Sequence, residues 1–198
     1  MPHCMNRKGC LIKSGKDANE SKSYKLTNMI DLYHGSPGKI EGPLTPVLRH
    51  STLDHIHDKP AVFATARIDL ASLFMFSFDD VLASIGFEQD IAYICIWGRP
   101  EQFQPKDRGG YIYVFSSDNF QKVGKDYEWQ SFEPTLPKKI RRHDSIVAGV
   151  IDCSAQAYFI DDDKIMDDVV NNKNNRSVIL KNLVSENQKI SKNIRQFS

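Results

Sequence analysis

The stretch Asp31-Leu-Tyr-His-Gly-Ser-Pro37 decides how the fold of the rest of the chain is interpreted. Leu32 and Tyr33 lead into a histidine, and the glycine, serine and proline that follow favour a turn. Because glycine has no Cβ, a ligand can approach its backbone closely beside the imidazole. The stretch therefore predicts the end of a short strand and one corner of a binding site. A partly buried histidine beside an ordinary glycine turn is the alternative.

Outward from this corner, the chain alternates short strands with short helices. Strands are predicted from their aromatic and β-branched content at 29–33, 60–64, 111–115, 127–132, 145–153 and 157–160. Helices are predicted at 67–75, with Thr65 as the N-cap, at 79–87, from 161 onward and over the last residues. Residues 91–97 are either a buried strand or a helix, and 39–59 form a long loop. This pattern predicts an α+β fold.

Size and composition indicate a single soluble domain. The chain has 198 residues, of which 40% are hydrophobic and 26% charged. No apolar run approaches the ~18 residues that span a bilayer, and the start lacks the apolar segment of a secretory signal. The four cysteines, which are not at C-x-x-C spacing, are expected to be reduced thiols, which predicts a cytoplasmic location: Cys4, Cys10, Cys95 and Cys153.

The net charge of +1 conceals an uneven distribution. Residues 1–30 carry +4 and residues 171–198 carry +5, which leaves −8 on the segment between them. An acidic body argues against broad nucleic-acid binding. The local run Lys138-Lys-Ile-Arg-Arg-His143 is interpreted as a charged strand edge, with a phosphate-bearing partner as the alternative.

The loop between the first two strands contains three histidines with aspartates among them. His50, His55 and His57 lie near Asp54 and Asp58, a combination that can ligate zinc. The loop lacks the fixed helical spacing of zinc-binding histidines and has no cysteine nearby. Exposed loop histidines are therefore the favoured interpretation, and no metal site is predicted.

Three separated stretches have the chemistry of one nucleotide-binding cleft. They are the corner at His34, the aromatic-alanine strand around Phe63 with Phe74 downstream, and Glu128 on a strand with aromatic neighbours. Base and nicotinamide rings need stacking faces, and ribose hydroxyls need a histidine or a carboxylate. A carboxylate that grips the ribose also stabilises an oxocarbenium-like state. Glu133 is an alternative catalytic carboxylate. Because side chains alternate along a strand, Glu128 and Glu133 are expected to face opposite sides, so only one of them belongs to the site, and Glu128 is preferred.

These stretches resemble the three signature segments of ADP-ribosyltransferases of the histidine-tyrosine-glutamate class, which includes poly(ADP-ribose) polymerases and diphtheria-toxin-like enzymes. The matching segments are Leu32-Tyr-His-Gly-Ser36, Val62-Phe-Ala-Thr65 with Ala71 downstream, and Tyr127-Glu-Trp-Gln-Ser131. The resemblance, which covers residues 31–137, implies two small packed β-sheets with flanking helices in a catalytic domain at 29–160. Residues 1–28 have almost no apolar periodicity and are predicted to be a poorly ordered leader. Residues 161–198 are predicted to be a helical extension that ends in an amphipathic helix, because apolar residues recur there three or four apart.

The resemblance assigns roles to particular residues. His34 would hold an NAD ribose hydroxyl, Gly35 would clamp the nicotinamide carboxamide through its backbone, and Glu128 would be the catalytic glutamate. Further contacts to NAD are implied for Ser36, Ala64 and Thr65. Where the family places its middle tyrosine, this chain has Val62, so nicotinamide stacking is assigned to Phe74.

The expected activity is that of a mono-ADP-ribosyltransferase that uses NAD as co-substrate and a protein or other macromolecule, not identified by the sequence, as acceptor. A catalytically silent module that binds NAD or ADP-ribose is the main alternative, because the middle tyrosine is missing. A tRNA 2′-phosphate-removing relative would need several arginines at the site, which the acidic centre disfavours. A serine or cysteine hydrolase is disfavoured because no G-x-S-x-G elbow occurs.

Overall fold

The computed structural model describes residues 29–48, 59–78, 83–88, 90–123, 127–171, 178–179 and 182. The strands in chain order are β1 Asp31–Ser36, β2 Val62–Thr65, β3 Ala83–Glu88, β4 Ile91–Trp97, β5 Gly110–Ser116, β6 Gln121–Lys122, β7 Glu128–Ser131, β8 Lys139–His143 and β9 Gln156–Ile160. The helices are α1 Ile68–Ser72, α2 Pro100–Phe103, α3 Ile146–Asp152 and α4 Asp163–Asn171. The predicted α+β class with two sheets is confirmed.

The strands form one large and one small sheet. The large sheet has six strands in the order β6-β7-β2-β1-β5-β8, and all of its pairs are antiparallel. The small sheet has the order β3-β4-β9, with β3 and β4 antiparallel and β9 parallel to β4. β8, which contains the basic run predicted as a charged edge, lies at one end of the large sheet and is mostly exposed.

Alternation along the strands divides the apolar residues into three clusters. The inner cluster joins the two sheets, because Ile94 of β4 and Ile112 of β5 pack in it together with residues of α1 and α3. The outer cluster covers the opposite face of the large sheet and contains Leu32, Tyr113 and Phe115. A third cluster lies on the other face of the small sheet, where Ile165 of α4 packs against it. The central strands of the large sheet are therefore covered on both faces.

Two sequence predictions are wrong. Residues 83–88, which overlap the predicted helix 79–87, form a strand, since they pair with β4 along their whole length and Gly86 makes room for the Tyr93 ring. Residues 146–152, within a predicted strand, form α3, because the Ser145 hydroxyl accepts a hydrogen bond from Ala148 N and starts a helix. Short apolar segments fit the helical period and the strand period equally well. The pairing with β4 makes the first segment a strand, and the Ser145 cap makes the second a helix.

Thr65 does not have the predicted capping role. Arg67 is the N-cap of α1, which ends at Ser72 and continues as a 3-10 turn over Leu73–Met75. The Thr65 hydroxyl instead accepts a hydrogen bond from the Arg67 amide at 3.1 Å. The helix predicted at 67–75 is otherwise confirmed.

Some predictions lie outside the described residues. These are the leader at 1–28, the loop histidines His50, His55 and His57, and most of the closing helix, of which Ile179 packs on the third cluster. Within the described ranges, each helix is too short or too polar to cross a lipid bilayer.

Candidate functional site

His34 lies in the large sheet between β2 and β5, and two contacts fix its ring. It stands opposite Tyr113 of β5, with the ring centroids 6.2 Å apart in an edge arrangement. Its Nδ1 lies 2.7 Å from the carbonyl oxygen of Phe63 in β2. Since a carbonyl can only accept, Nδ1 must carry the hydrogen, and in the neutral ring Nε2 is the acceptor. The imidazole is thus oriented so that Nε2 can accept a hydrogen bond from a hydroxyl group.

Tyr113 connects this histidine to the turn after β1. Its hydroxyl accepts a hydrogen bond from the Ile40 amide at 2.6 Å, and its ring is fully buried. Burial raises the pKa of this hydroxyl above its usual value, so it remains protonated at neutral pH. In the same turn the Ser36 hydroxyl donates to the carbonyl oxygen of Gly38 at 2.9 Å. Ser36 therefore shapes the corner through its side chain.

Gly35 is required by close packing. A Cβ at this position would collide with the carbonyl oxygen of Ala71 in α1 and press on the backbone of Phe74. The helix can cross β1 at this distance only because the residue beneath it has no side chain. The sequence predicted a close approach of a ligand here, and the structure adds a close approach of a helix.

β1 and β2 separate beside Gly35. Among the residues that the structure describes, these strands pair at one position, where Tyr33 faces Thr65. Ala61, which precedes β2, pairs instead with Val47 of the loop, and the Phe63 carbonyl is contacted by the His34 ring. Among the described residues the β1–β2 ladder therefore ends here, and we call the position between Gly35 and Phe63 the notch.

The backbone of Gly35 points toward this notch. The amide and carbonyl of Ile30 both face Ser117, which follows β5. Because backbone groups alternate between the two sides of a strand, even-numbered residues of β1 address β5 and odd-numbered residues address β2. The amide and carbonyl of Gly35 are consequently directed at the side where the ladder stops.

Glu128 lies one strand beyond β2, where it faces Thr65 across the β2–β7 ladder. Directly opposed residues project from the same face of a sheet, so Tyr33, Thr65 and Glu128 share one face. This is the face of the inner cluster, against which Tyr33 packs. The Glu128 side chain is half-buried there.

His34 and Glu128 project from opposite faces of the large sheet. His34 follows Tyr33 and faces Tyr113, which belongs to the outer cluster together with Ala64. Strand alternation therefore places the imidazole on the outer face and the carboxylate on the inner face. A single ligand that contacts both side chains would therefore have to reach both faces of the sheet, and the described β1–β2 ladder ends at the notch.

The structure shows an aromatic residue that the sequence argument passed over. Val62 is buried in the outer cluster and does not line the inner face. Phe63 is half-buried and shares the inner face with Thr65, Gln130 and Glu128, since it stands opposite Gln130. The sequence alone indicates that Phe63 and Thr65 share a face, because residues two apart on a strand point the same way, and the register of β2 with β7 adds Glu128 to that face.

Phe74 lies on the other side of Gly35 from Phe63. Its backbone is packed on Gly35, and its side chain is 42% exposed, which is unusual for a phenylalanine in a short helical segment. Phe63 and Phe74 thus belong to two segments that adjoin Gly35, β2 beside it and the 3-10 turn packed on it. Flat apolar rings of this kind suit an aromatic heterocycle.

Metal chemistry has no support among the described residues, which contain no group of three or more histidine, cysteine, aspartate or glutamate side chains arranged to hold an ion. Cys95 and Cys153 are both buried.

Comparison with known proteins gives no match. A scan of protein-family models, a search of curated proteins and a search of solved structures each find no significant similarity. The chemistry of the notch must therefore be judged from its own residues: backbone groups at Gly35, two rings, a carboxylate and an oriented imidazole.

Proposed function

We propose that this protein is a mono-ADP-ribosyltransferase that cleaves NAD at the nicotinamide–ribose bond and transfers ADP-ribose to an acceptor. The supporting observation is the notch between β1 and β2, which has Gly35 at its edge and Glu128 on the inner face beside it. The notch explains how residues from strands far apart in sequence reach one ligand. It also agrees with the roles that the sequence resemblance implies.

Nicotinamide is proposed to bind on the inner side of the notch. The amide and carbonyl directed at the notch from Gly35 suit a carboxamide, which needs one donor and one acceptor. Phe63 and Phe74 supply the apolar faces for the pyridine ring, so that Phe63 takes the stacking role that Val62 cannot take from the core. The Nε2 atom of His34 accepts a ribose hydroxyl hydrogen from the outer side.

The reaction follows from the carboxylate. The bond between C1′ of the ribose and the nicotinamide nitrogen breaks, its electron pair leaves with nicotinamide, and C1′ acquires oxocarbenium character. Glu128 accepts a hydrogen bond from the ribose 2′-hydroxyl and stabilises this positive charge. A nucleophile of the acceptor then bonds to C1′ and loses its proton.

Nicotinamide release by purified full-length protein tests the proposal. Glu128→Gln keeps the size of the side chain and removes its charge, so we expect release to fall at least about a hundredfold, as for other lost electrostatic stabilisers. Glu133→Gln is the matched control, because Glu133 is exposed in the turn after β7 and offers its backbone carbonyl to Ser131 and Thr135. Wild-type release rates in Glu128→Gln would refute the proposal.

A silent NAD-binding or ADP-ribose-binding module is the second candidate. It is favoured by the chemistry of the two rings, since both are phenylalanines and neither brings a hydroxyl group to the notch. Calorimetry with NAD, run beside the release assay, separates the two functions. Binding without nicotinamide release would identify the module.

A further inference from the structure

Arg67, in the turn between β2 and α1, contacts two other segments of the chain. Its Nε and Nη2 donate to the two carboxylate oxygens of Asp69 in α1, at 3.1 and 2.5 Å. Nη2 also donates to the carbonyl oxygen of Asp90, at 2.5 Å. The guanidinium carbon lies 4.5 Å from the centroid of the Phe87 ring. Phe87 lies near the end of β3 and Asp90 lies in the turn between β3 and β4. The Arg67 side chain therefore joins this turn to the start of α1.

The positive charge of Arg67 is paired within the protein, with the carboxylate of Asp69. The hydrogen bond to Asp69 raises the pKa of the guanidinium, and the Asp69 side chain is only 12% exposed. A bidentate pair of this kind is strong and directional. Arg67 is therefore suited to hold a structure in place more than to capture a phosphate.

The contacts continue from the turn to the strand that carries Glu128. The Phe87 ring packs on the Tyr127 ring, with centroids 5.8 Å apart. Tyr127 immediately precedes Glu128, and Thr65, which faces Glu128 across the ladder, accepts the hydrogen bond from the Arg67 amide. Arg67 thus contacts Thr65, which lies opposite Glu128, and it reaches Tyr127, which precedes Glu128, through the Phe87 ring.

The β3–β4 turn receives this hydrogen bond at its backbone. Asp90 has a φ of 64°, a left-handed conformation that L-residues adopt at a cost. Its side chain is 93% exposed and lies 3.7 Å from Nη1, so the hydrogen bond to its backbone carbonyl is the firmer contact. Arg67 therefore acts on the main chain of the turn.

We propose that Arg67 is a positioning residue, which holds the β3–β4 turn against the start of β7 and thereby sets the position of the Glu128 carboxylate. This inference rests on the proposed transferase function for its catalytic consequence. Its structural part, the ordering of β7 by Arg67 through Phe87 and Tyr127, stands on the contacts alone.

Two variants test the inference through different groups. Arg67→Lys keeps the charge beside Asp69 but loses the planar bidentate fork and the flat contact with Phe87. Phe87→Leu keeps the ion pair and removes the ring that contacts Tyr127. Arg99→Gln is the matched control, because Arg99 forms an exposed ion pair with Asp161 at 2.6 Å on α2 and the end of β9. Each is compared with wild type at a temperature where circular dichroism shows the full chain to be folded.

We expect kcat for nicotinamide release to fall about tenfold in both variants while KM for NAD changes less than about twofold, since displacement of a catalytic group by an ångström slows the reaction much more than it weakens binding. Hydrogen exchange should quicken at residues 127–131 and remain unchanged in β5 and β8. Arg99→Gln should match the wild type in all of these measurements.

Two results would overturn the inference. If the wild type releases nicotinamide and both variants retain its kcat, Arg67 does not position the carboxylate. If the wild type releases none, the transferase proposal fails on its own account, and the exchange measurement then decides: unchanged exchange at 127–131 in both variants would refute the role of Arg67.

Discussion

At the scale of single residues, Gly35 is the position where the fold and the proposed site impose the same requirement. Its missing side chain lets α1 cross β1, and its backbone groups point at the notch. A substitution therefore disturbs both the packing of the helix and the surface offered to a ligand. The resemblance assigned Gly35 a binding role only, whereas the packing gives an independent physical reason for glycine.

We expect Gly35→Ala to destabilise the protein by about 1–3 kcal/mol or more, because the new methyl group would overlap the main chain of α1 and force a shift. NAD binding should weaken in parallel. Gly38→Ala is the control, because a Cβ there meets nothing within 4 Å, and its stability should be close to that of the wild type. Urea unfolding measures both, and equal stabilities of the two variants would contradict this account.

The individual side chains show how far sequence reasoning reaches. Short motifs located His34, Gly35 and Glu128, because histidine beside glycine and a carboxylate on a strand have recognisable chemistry. They did not reveal that His34 and Glu128 project from opposite faces, since that depends on pairing register across three strands. Phe63 was not assigned a stacking role, because its place on the face of Glu128 also depends on the pairing of β2 with β7.

At the scale of secondary-structure elements, α3 depends on two side chains at its start. The carboxylate of Asp107, in the turn before β5, accepts hydrogen bonds from the Ile146 amide at 2.5 Å and from the Ser145 hydroxyl at 2.7 Å. Ser145 in turn accepts from the Ala148 amide at 3.1 Å. A distant aspartate and a local serine thus cap the helix together. Only the serine is visible from the local sequence.

Asp107→Ala should lower the free energy of unfolding by about 1–2 kcal/mol, which is the range for loss of a helix cap. Asp118→Ala provides the comparison, because Asp118 is an exposed acidic residue in the 3-10 turn after β5. Its removal should change stability by less than about 0.5 kcal/mol. Equal effects of the two substitutions in urea unfolding would argue against a capping role for Asp107.

Strands with aromatic and β-branched residues were predictable, and β5 and β9 lie close to where the sequence places them. The errors fall on elements whose state depends on distant residues. β3 forms a strand because β4 pairs with it, and its Ile85 and Phe87 are partly exposed, which blurs the pattern. α3 is a helix in an apolar run that fits a strand equally well, until its capping residues are considered.

At the scale of the whole molecule, one buried thiol and two buried tyrosine hydroxyls predict that the free energy of unfolding falls at high pH. Burial raises the pKa of Cys153 above 9.0 and the pKa values of Tyr113 and Tyr158 above 10.0. Between the unfolded and folded pKa values the unfolded chain has lost the proton and the native state retains it. The native state then binds more protons, so the free energy of unfolding falls as pH rises.

Stability should therefore be unaffected by these groups below about pH 8, where both states are protonated, and should decline above pH 9.0. Each group can remove at most about 1.4 kcal/mol per pH unit within its window. Urea midpoints at several pH values measure the decline. Cys153→Ala should flatten the first part of it, and an unchanged slope in that variant would show that this thiol does not contribute.

The order of strands in the large sheet also bears on how the chain folds. β1 pairs with β5, β2 pairs with β7 and β5 pairs with β8 across long stretches of chain, and only the pair β6 and β7 is joined by a short one. Bringing such remote segments together costs loop entropy before any contact rewards it, and this slows folding. β7 completes the surroundings of the notch, so a growing polypeptide cannot assemble them until residue 131 has left the ribosome. A chain that has folded β1 but has not yet paired β7 with β2 would accordingly lack the Glu128 side chain beside the notch.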